Sequence, residues 1–155
     1  MRPALALCII MAAIVPATAA EIIDTQATDG TCERLVIADE NLTAQCGTGL
    51  AVLTYDDGRV AVSAGTGGQD FFGLGEPERM LLLIGPGKPW MDFNISSVVI
   101  SAAAETEDPV LADVSGACTH VDATPGFLVS CEAKDGDGRT YALTYRTDGG
   151  QIHSF

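Results

Sequence analysis

The chain has 155 residues, of which 21 are acidic and eight are lysine or arginine, so its formal net charge is −13. Binding to nucleic acid depends on basic side chains that neutralise phosphates, and an acidic surface also repels anionic membranes. The composition therefore argues against nucleic-acid and anionic-membrane partners, and the length indicates one domain of ordinary size.

The first twenty residues predict an export signal. Arg2 supplies a short positive segment, residues 5–15 form an apolar stretch, and small residues follow where a signal peptidase needs them. Cleavage after Ala19 and cleavage after Ala20 fit equally well. We expect a signal peptide at 1–20, a single β domain at 21–155, and a periplasmic or secreted location. No second apolar segment of membrane length follows, so we expect no membrane span in the mature chain.

Removal of the signal makes the charge more negative. Arg2 leaves with it, so seven basic residues face 21 acidic residues, a net charge of −14. Such a surface attracts basic proteins, cationic peptides or divalent cations over long range. Plain solubility is the alternative explanation for the same composition.

Four cysteines remain after removal of the signal: Cys32, Cys46, Cys118 and Cys131. An even number of cysteines in an exported chain predicts two disulfides, with three pairings open. We favour Cys32–Cys46 and Cys118–Cys131 because each pair flanks a candidate hairpin. Each disulfide would close a loop of about 15 residues and contribute on the order of 3 kcal/mol. The cysteine spacing does not support a zinc site, since no C-x-x-C pair occurs.

Short strands are predicted along the whole chain, and no window of 11 residues has the pattern of an amphipathic helix. Asp57-Gly58 joins two of the strands, and an Asp-Gly pair between strands is a strong hairpin signal. The predicted strands are 21–29 (an edge strand or a lead-in), 32–37, 42–46, 50–55, 59–63, 80–84, 95–102, 127–133 and 141–145. Short strands punctuated by Gly and Pro predict an all-β fold, either an antiparallel β-sandwich or an open barrel.

Two parts of the chain share an order of motifs. Each begins with a Gly-x-Cys triplet, at 30–32 and at 116–118, continues to a second cysteine, and reaches an Asp-Gly-Arg turn at 57–59 and at 137–139. An internal duplication is one hypothesis. The other is that small β proteins reuse cysteines and Asp-Gly turns.

The sequence contains none of the motifs expected for nucleophilic catalysis or nucleotide binding. A catalytic triad needs a nucleophile beside an oriented histidine, but the chain has only His120 and His153 and no Gly-x-Ser-x-Gly elbow. We expect His120 to be a packed or surface imidazole. We therefore assign no catalytic residue, cofactor-binding residue or cofactor, and predict that the chain is not an enzyme.

The strongest candidate for a metal site is Asp135-Gly136-Asp137-Gly138, where two carboxylates lie two residues apart. An EF-hand is excluded because the fifth and twelfth positions of that loop hold arginines. A looser calcium site would recruit Glu132 or Asp148. We favour an ordinary hairpin turn and assign no metal ligand.

Phe71, Phe72, Trp90 and Phe93 occur close together in the sequence, and we expect them in the core. If they are exposed, they form an apolar contact patch in an acidic surface.

Three functional hypotheses follow. The first is a small binding or accessory module for a protein or envelope partner, for example an inhibitor of a basic secreted enzyme such as a muramidase. The others are a carboxylate-based hydrolase and a calcium-stabilised envelope domain.

Overall fold

Strands make up nearly all of the regular structure in the computed structural model, which describes residues 19–67, 78–102 and 108–155. The elements in chain order are β1 (Ile22–Ile37), β2 (Glu40–Asn41), a 3₁₀ helix (Thr43–Gln45), β3 (Gly49–Tyr55), β4 (Arg59–Thr66), β5 (Arg79–Pro86), β6 (Phe93–Ala102), β7 (Val110–Asp122), β8 (Phe127–Asp135), β9 (Thr140–Thr147) and β10 (His153–Ser154). The prediction of an all-β fold is confirmed.

Eight of the described strands, β1 and β3 to β9, form a closed antiparallel barrel. Closure depends on the length of β1, which has 16 residues and neighbours on both sides. Its first half pairs with β3, where Thr25 lies opposite Leu53. Its second half pairs with β9, where Leu35 lies opposite Leu143. Of the two predicted architectures the barrel is the one formed, and it is closed rather than open because β1 pairs with β9.

The interior of the barrel is filled by alternate residues of each strand, because successive side chains of a strand point to opposite faces. Val52 lies opposite Val62, and Leu83 lies opposite Val98 in the same way. All four are at most 2% exposed. In β9 the alternate residues Tyr141, Leu143 and Tyr145 are buried in the same way.

The predicted hairpin at Asp57-Gly58 is confirmed, with Gly58 at a φ of 83°. By contrast, the strand predicted at 42–46 is wrong. Only β2 pairs with β1 here, and a 3₁₀ helix then leads to Cys46. The Asn41 side chain accepts a hydrogen bond from the Thr43 N–H at 3.1 Å, a local turn that competes with strand pairing. Leu42, 3% exposed, is meanwhile buried in the core.

The predicted disulfides, Cys32–Cys46 and Cys118–Cys131, are both present. The two Gly-x-Cys triplets also have a common packing role. A Cβ built on Gly30 would lie 2.2 Å from a backbone oxygen of β9, and one built on Gly116 would lie 2.0 Å from a backbone oxygen of β8. Each glycine thus permits close approach of the next strand. The second cysteines differ, since Cys131 lies in a strand and Cys46 does not, so the duplication stays a hypothesis.

Some sequence predictions concern parts of the chain outside the described residues. These are the export signal over residues 1–18 and the aromatic pair Phe71 and Phe72. Within the described residues, the structure contains no helix with the length and apolar character needed to cross a membrane.

Candidate functional site at the barrel mouth

Several connections meet at one end of the barrel, here called the mouth. It is formed by the β3–β4 turn, the β5–β6 loop at 87–92, the β7–β8 turn at 123–126 and the segment between β9 and β10 at 148–152. Antiparallel neighbours place these connections together, because alternate connections lie at the same end of a barrel. A hydrogen bond from Gly87 N–H to the Gly58 carbonyl, 3.2 Å long, joins the first two of them.

A cavity of about 190 Å³ opens at the mouth. It lies where β9 ends at Thr147 and β10 takes up pairing with β1 at Gln26 and Ala27. The described residues that line it are largely apolar or glycine, and none carries a charge: Thr28, Trp90, Gly126, Phe127, Thr147, Gly149, Gly150 and Ile152. The cavity is thus a partly apolar recess in an acidic protein.

Two neighbours fix the indole ring of Trp90 in the wall of this cavity. Its Nε1–H donates to the Gln26 side-chain oxygen, and the Gln26 amide in turn donates to Asp24 at 2.9 Å. On another side the ring meets His120 edge to face, with centroids 6.4 Å apart and planes at 81°. Trp90 also has a φ of 59°, a conformation that bulky residues rarely adopt. The contacts of the ring therefore stabilise Trp90 in a backbone conformation that tryptophan does not favour.

The β7–β8 turn places Phe127 at the rim of the cavity. The Phe127 N–H donates to the Thr147 hydroxyl at 2.8 Å, which ties this turn to the end of β9. Gly126, at a φ of 75°, precedes it, and an added Cβ there would lie 2.2 Å from that same hydroxyl. Only glycine fits this approach. Phe127 is 38% exposed, so its ring is accessible to solvent at the rim.

His120 lies behind Trp90 on the inward face of β7, opposite Val129. Its side chain is only 6% exposed, and neither ring nitrogen has a hydrogen-bond partner of good geometry. Burial lowers the pKa of this imidazole, against the opposing influence of the Asp92 carboxylate, 4.0 Å away, and of the Met91 backbone. Of the two expectations for His120, a packed or a surface imidazole, the structure shows the packed one, and burial favours its neutral form.

The mouth carries several carboxylates that do not line the cavity, and three of them lie on the connections next to Trp90, Phe127 and Gly150. Asp92 accepts a hydrogen bond from the backbone N–H of His120 at 2.7 Å, and Asp148 accepts one from the Gly150 N–H at 2.7 Å. Asp122 lies directly opposite Phe127 in the β7–β8 pairing and is exposed. The pKa of Tyr145 is raised, mainly by burial and in addition by the negative charges of Asp29 and Asp148.

The candidate calcium turn lies at the opposite end of the barrel, between β8 and β9. Asp135 Oδ1 accepts the N–H groups of Asp137 and Arg139, and its Oδ2 accepts bonds from Arg139 Nε and the Tyr141 hydroxyl. Burial alone would raise the pKa of Asp135, but these hydrogen bonds lower it. The structure thus shows these oxygens engaged in a hairpin turn. Within the described ranges no group of three or more potential metal-binding side chains occurs.

The prediction that the clustered aromatic residues lie in the core is confirmed for only one of the two that the structure describes. Phe93 is buried in the core, as expected, at 6% exposure. Trp90 is half-buried at the mouth and lines the cavity. The sequence pattern did not single out Phe127, Asp122 or Gly126 as mouth residues, because only the strand pairing brings them to Trp90.

Comparison with protein-family models, with curated proteins and with solved structures found no match for this chain. The site must therefore be interpreted from its own geometry.

Proposed function

We propose that the chain is a small exported binding or accessory module that engages a basic protein partner. The proposal rests on the observation that the positive charges of the arginines are already paired within the chain. Each arginine of the described residues forms an ion pair with a carboxylate of the same chain, and the pairs are Arg34–Glu132, Arg59–Asp57, Arg79–Glu40, Arg139–Asp135 and Arg146–Glu33. Most of the other carboxylates of the described residues are exposed to solvent.

Two further features support this function. The disulfides fit an oxidising compartment outside the cytosol, where such bonds persist. Exposed carboxylates such as Asp108, Asp113 and Asp122 produce a negative field that increases the association rate of a basic protein. Complementary charge of this kind acts mainly on association and is weakened by salt.

The test uses the oxidised protein immobilised on a sensor surface. Purified basic secreted enzymes, including a muramidase, and acidic proteins of similar size are passed over it at a series of salt concentrations. We expect selective binding of one or more basic proteins, with an association rate that falls as salt rises. Absence of binding to every basic protein, or affinity that is unchanged by salt, would refute the proposal.

Carboxylate-based hydrolysis and calcium binding, the other two hypotheses, have no specific observation in their favour. Asp135 and Asp137 are both engaged by Arg139. We therefore do not propose either function.

A further inference from the structure

We propose that the cavity at the barrel mouth is a binding site for an organic cation, that is, an alkylammonium or guanidinium group. Two sources present this chemistry: a free small molecule, and a lysine or arginine side chain of a protein. The second source rests on the function proposed above, and the first does not.

The size of the cavity suits such a group. Its volume of about 190 Å³ corresponds to roughly six water volumes at about 30 Å³ each, enough for the head of a small organic cation. Phe127 and Ile152, at 38% and 42% exposure, form an open rim. A ligand can therefore enter from solvent without opening of the barrel.

The aromatic walls favour a cation over a neutral group of the same shape. Trp90 and Phe127 both line the cavity, and the faces of aromatic rings attract cations through their quadrupoles, most strongly for tryptophan. The protein already contains one such contact, since the guanidinium of Arg59 lies 5.3 Å from the ring centroid of Tyr55. The fixed position of Trp90 means that no ordering of the ring has to accompany binding.

The charges around the cavity also favour a positively charged ligand. Asp92, Asp122 and Asp148 surround the mouth, and the buried imidazole of His120 favours its neutral form and so adds no positive charge. Lys88, on the loop that carries Trp90, is exposed and is not among the lining residues. Anions are therefore repelled from this site, and cations are concentrated near it.

The experiment uses the fluorescence of Trp90, which is the only tryptophan of the chain. The oxidised full-length protein is titrated with choline and, separately, with 3,3-dimethylbutan-1-ol, a neutral molecule of the same shape. We expect a saturable change with choline in the millimolar range and affinity for the alcohol at least about tenfold weaker. Equal affinity for the two molecules, or no saturable change with any cation, would overturn the proposal.

Two variants of one strand provide the matched control. Asp122→Asn and Asp113→Asn remove the same charge from exposed positions on β7, but Asp113 is nine residues away, roughly 30 Å along the strand. We expect Asp122→Asn to weaken choline binding about fivefold and Asp113→Asn to change it less than twofold. Equal effects would indicate general surface charge and would contradict a site at the mouth.

A third variant tests the aromatic wall, and a second cation identifies the source. Phe127→Leu keeps an apolar rim but loses the ring, and we expect at least threefold weaker choline binding. Titration with Nα-acetyl-lysine methylamide, which stands for a lysine side chain of a protein, is then compared with the titration with choline, which stands for a free small molecule. Saturable binding of either cation supports the site, and the tighter of the two indicates the source. If Phe127→Leu binds choline normally while salt-dependent binding of a basic protein persists, the cation site is refuted and the proposed function stands.

Discussion

Replacement of Gly116 by alanine provides a direct test of how the barrel strands pack. A Cβ at this position would lie 2.0 Å from the Glu132 carbonyl oxygen and 2.5 Å from the Ala133 Cα. Cβ atoms in real structures essentially never lie within 3.0 Å of another heavy atom, so β7 and β8 would have to separate by about 1 Å from a spacing of about 4.8 Å. Overpacking of this kind costs about 1–3 kcal/mol, and alanine recovers less than about 1 kcal/mol through the unfolded chain. We expect a net loss of about 2 kcal/mol.

Gly136 provides the matched control, since an added Cβ there meets nothing within 4 Å. The free energy of unfolding is measured by urea denaturation for the parent protein, Gly116→Ala and Gly136→Ala. We expect Gly136→Ala to change stability by less than about 1 kcal/mol in either direction. The loss at Gly116 corresponds to a melting temperature lower by roughly 6–10 °C. If the two variants are equally stable, the close approach of the strands at Gly116 is refuted.

Three further predictions concern other parts of the barrel. Replacement of Cys118 and Cys131 together by alanine should lower the free energy of unfolding by about 3 kcal/mol in urea denaturation, and an unchanged value would contradict the loop-closure argument. Because the folded pKa of His120 is lowered, the unfolded chain binds its proton first as the pH falls below the ordinary value of 6.5. Stability should therefore fall from pH 7 to pH 5 more steeply in the parent than in His120→Gln, and parallel curves would refute this. Asp135→Asn should lower the melting temperature at pH 7 more than Asp137→Asn does. Because the folded pKa of Asp135 is lowered, the difference in melting temperature between the two variants should become smaller as the pH falls. Equal melting temperatures of the two variants at pH 7 would contradict the hydrogen-bonding pattern of the turn.

The parts of the fold that depend on nearby residues were predictable from the sequence. The Asp57-Gly58 hairpin follows from turn chemistry and the strand at 141–145 from alternation, and both act over a few residues. The disulfide pairing was also predictable, because each pair closes a short loop. The strand predicted at 42–46 was wrong because a hydrogen bond from the Thr43 backbone N–H to the Asn41 side chain outweighed a weak strand signal.

The closure of the barrel and the candidate site were not predictable in the same way. Closure requires one strand to pair with two others, and Leu35 meets Leu143 across most of the chain. The site depends on the same distant pairings, because Trp90 meets Gln26 from β1 and His120 from β7. Alternation identifies which face of a strand is buried but does not identify its neighbours.

The use of β1 as both the opening and the closing strand affects the order in which the protein can form. During synthesis from the N-terminus, the second half of β1 emerges long before β9, its partner. Until then its backbone N–H and C=O groups on that side are unpaired and can pair with another chain. Folds dominated by such distant pairings also form slowly. The nascent chain is thus most prone to aggregation just before its last residues appear, and a carrier that shields β1 would have its greatest effect at that stage.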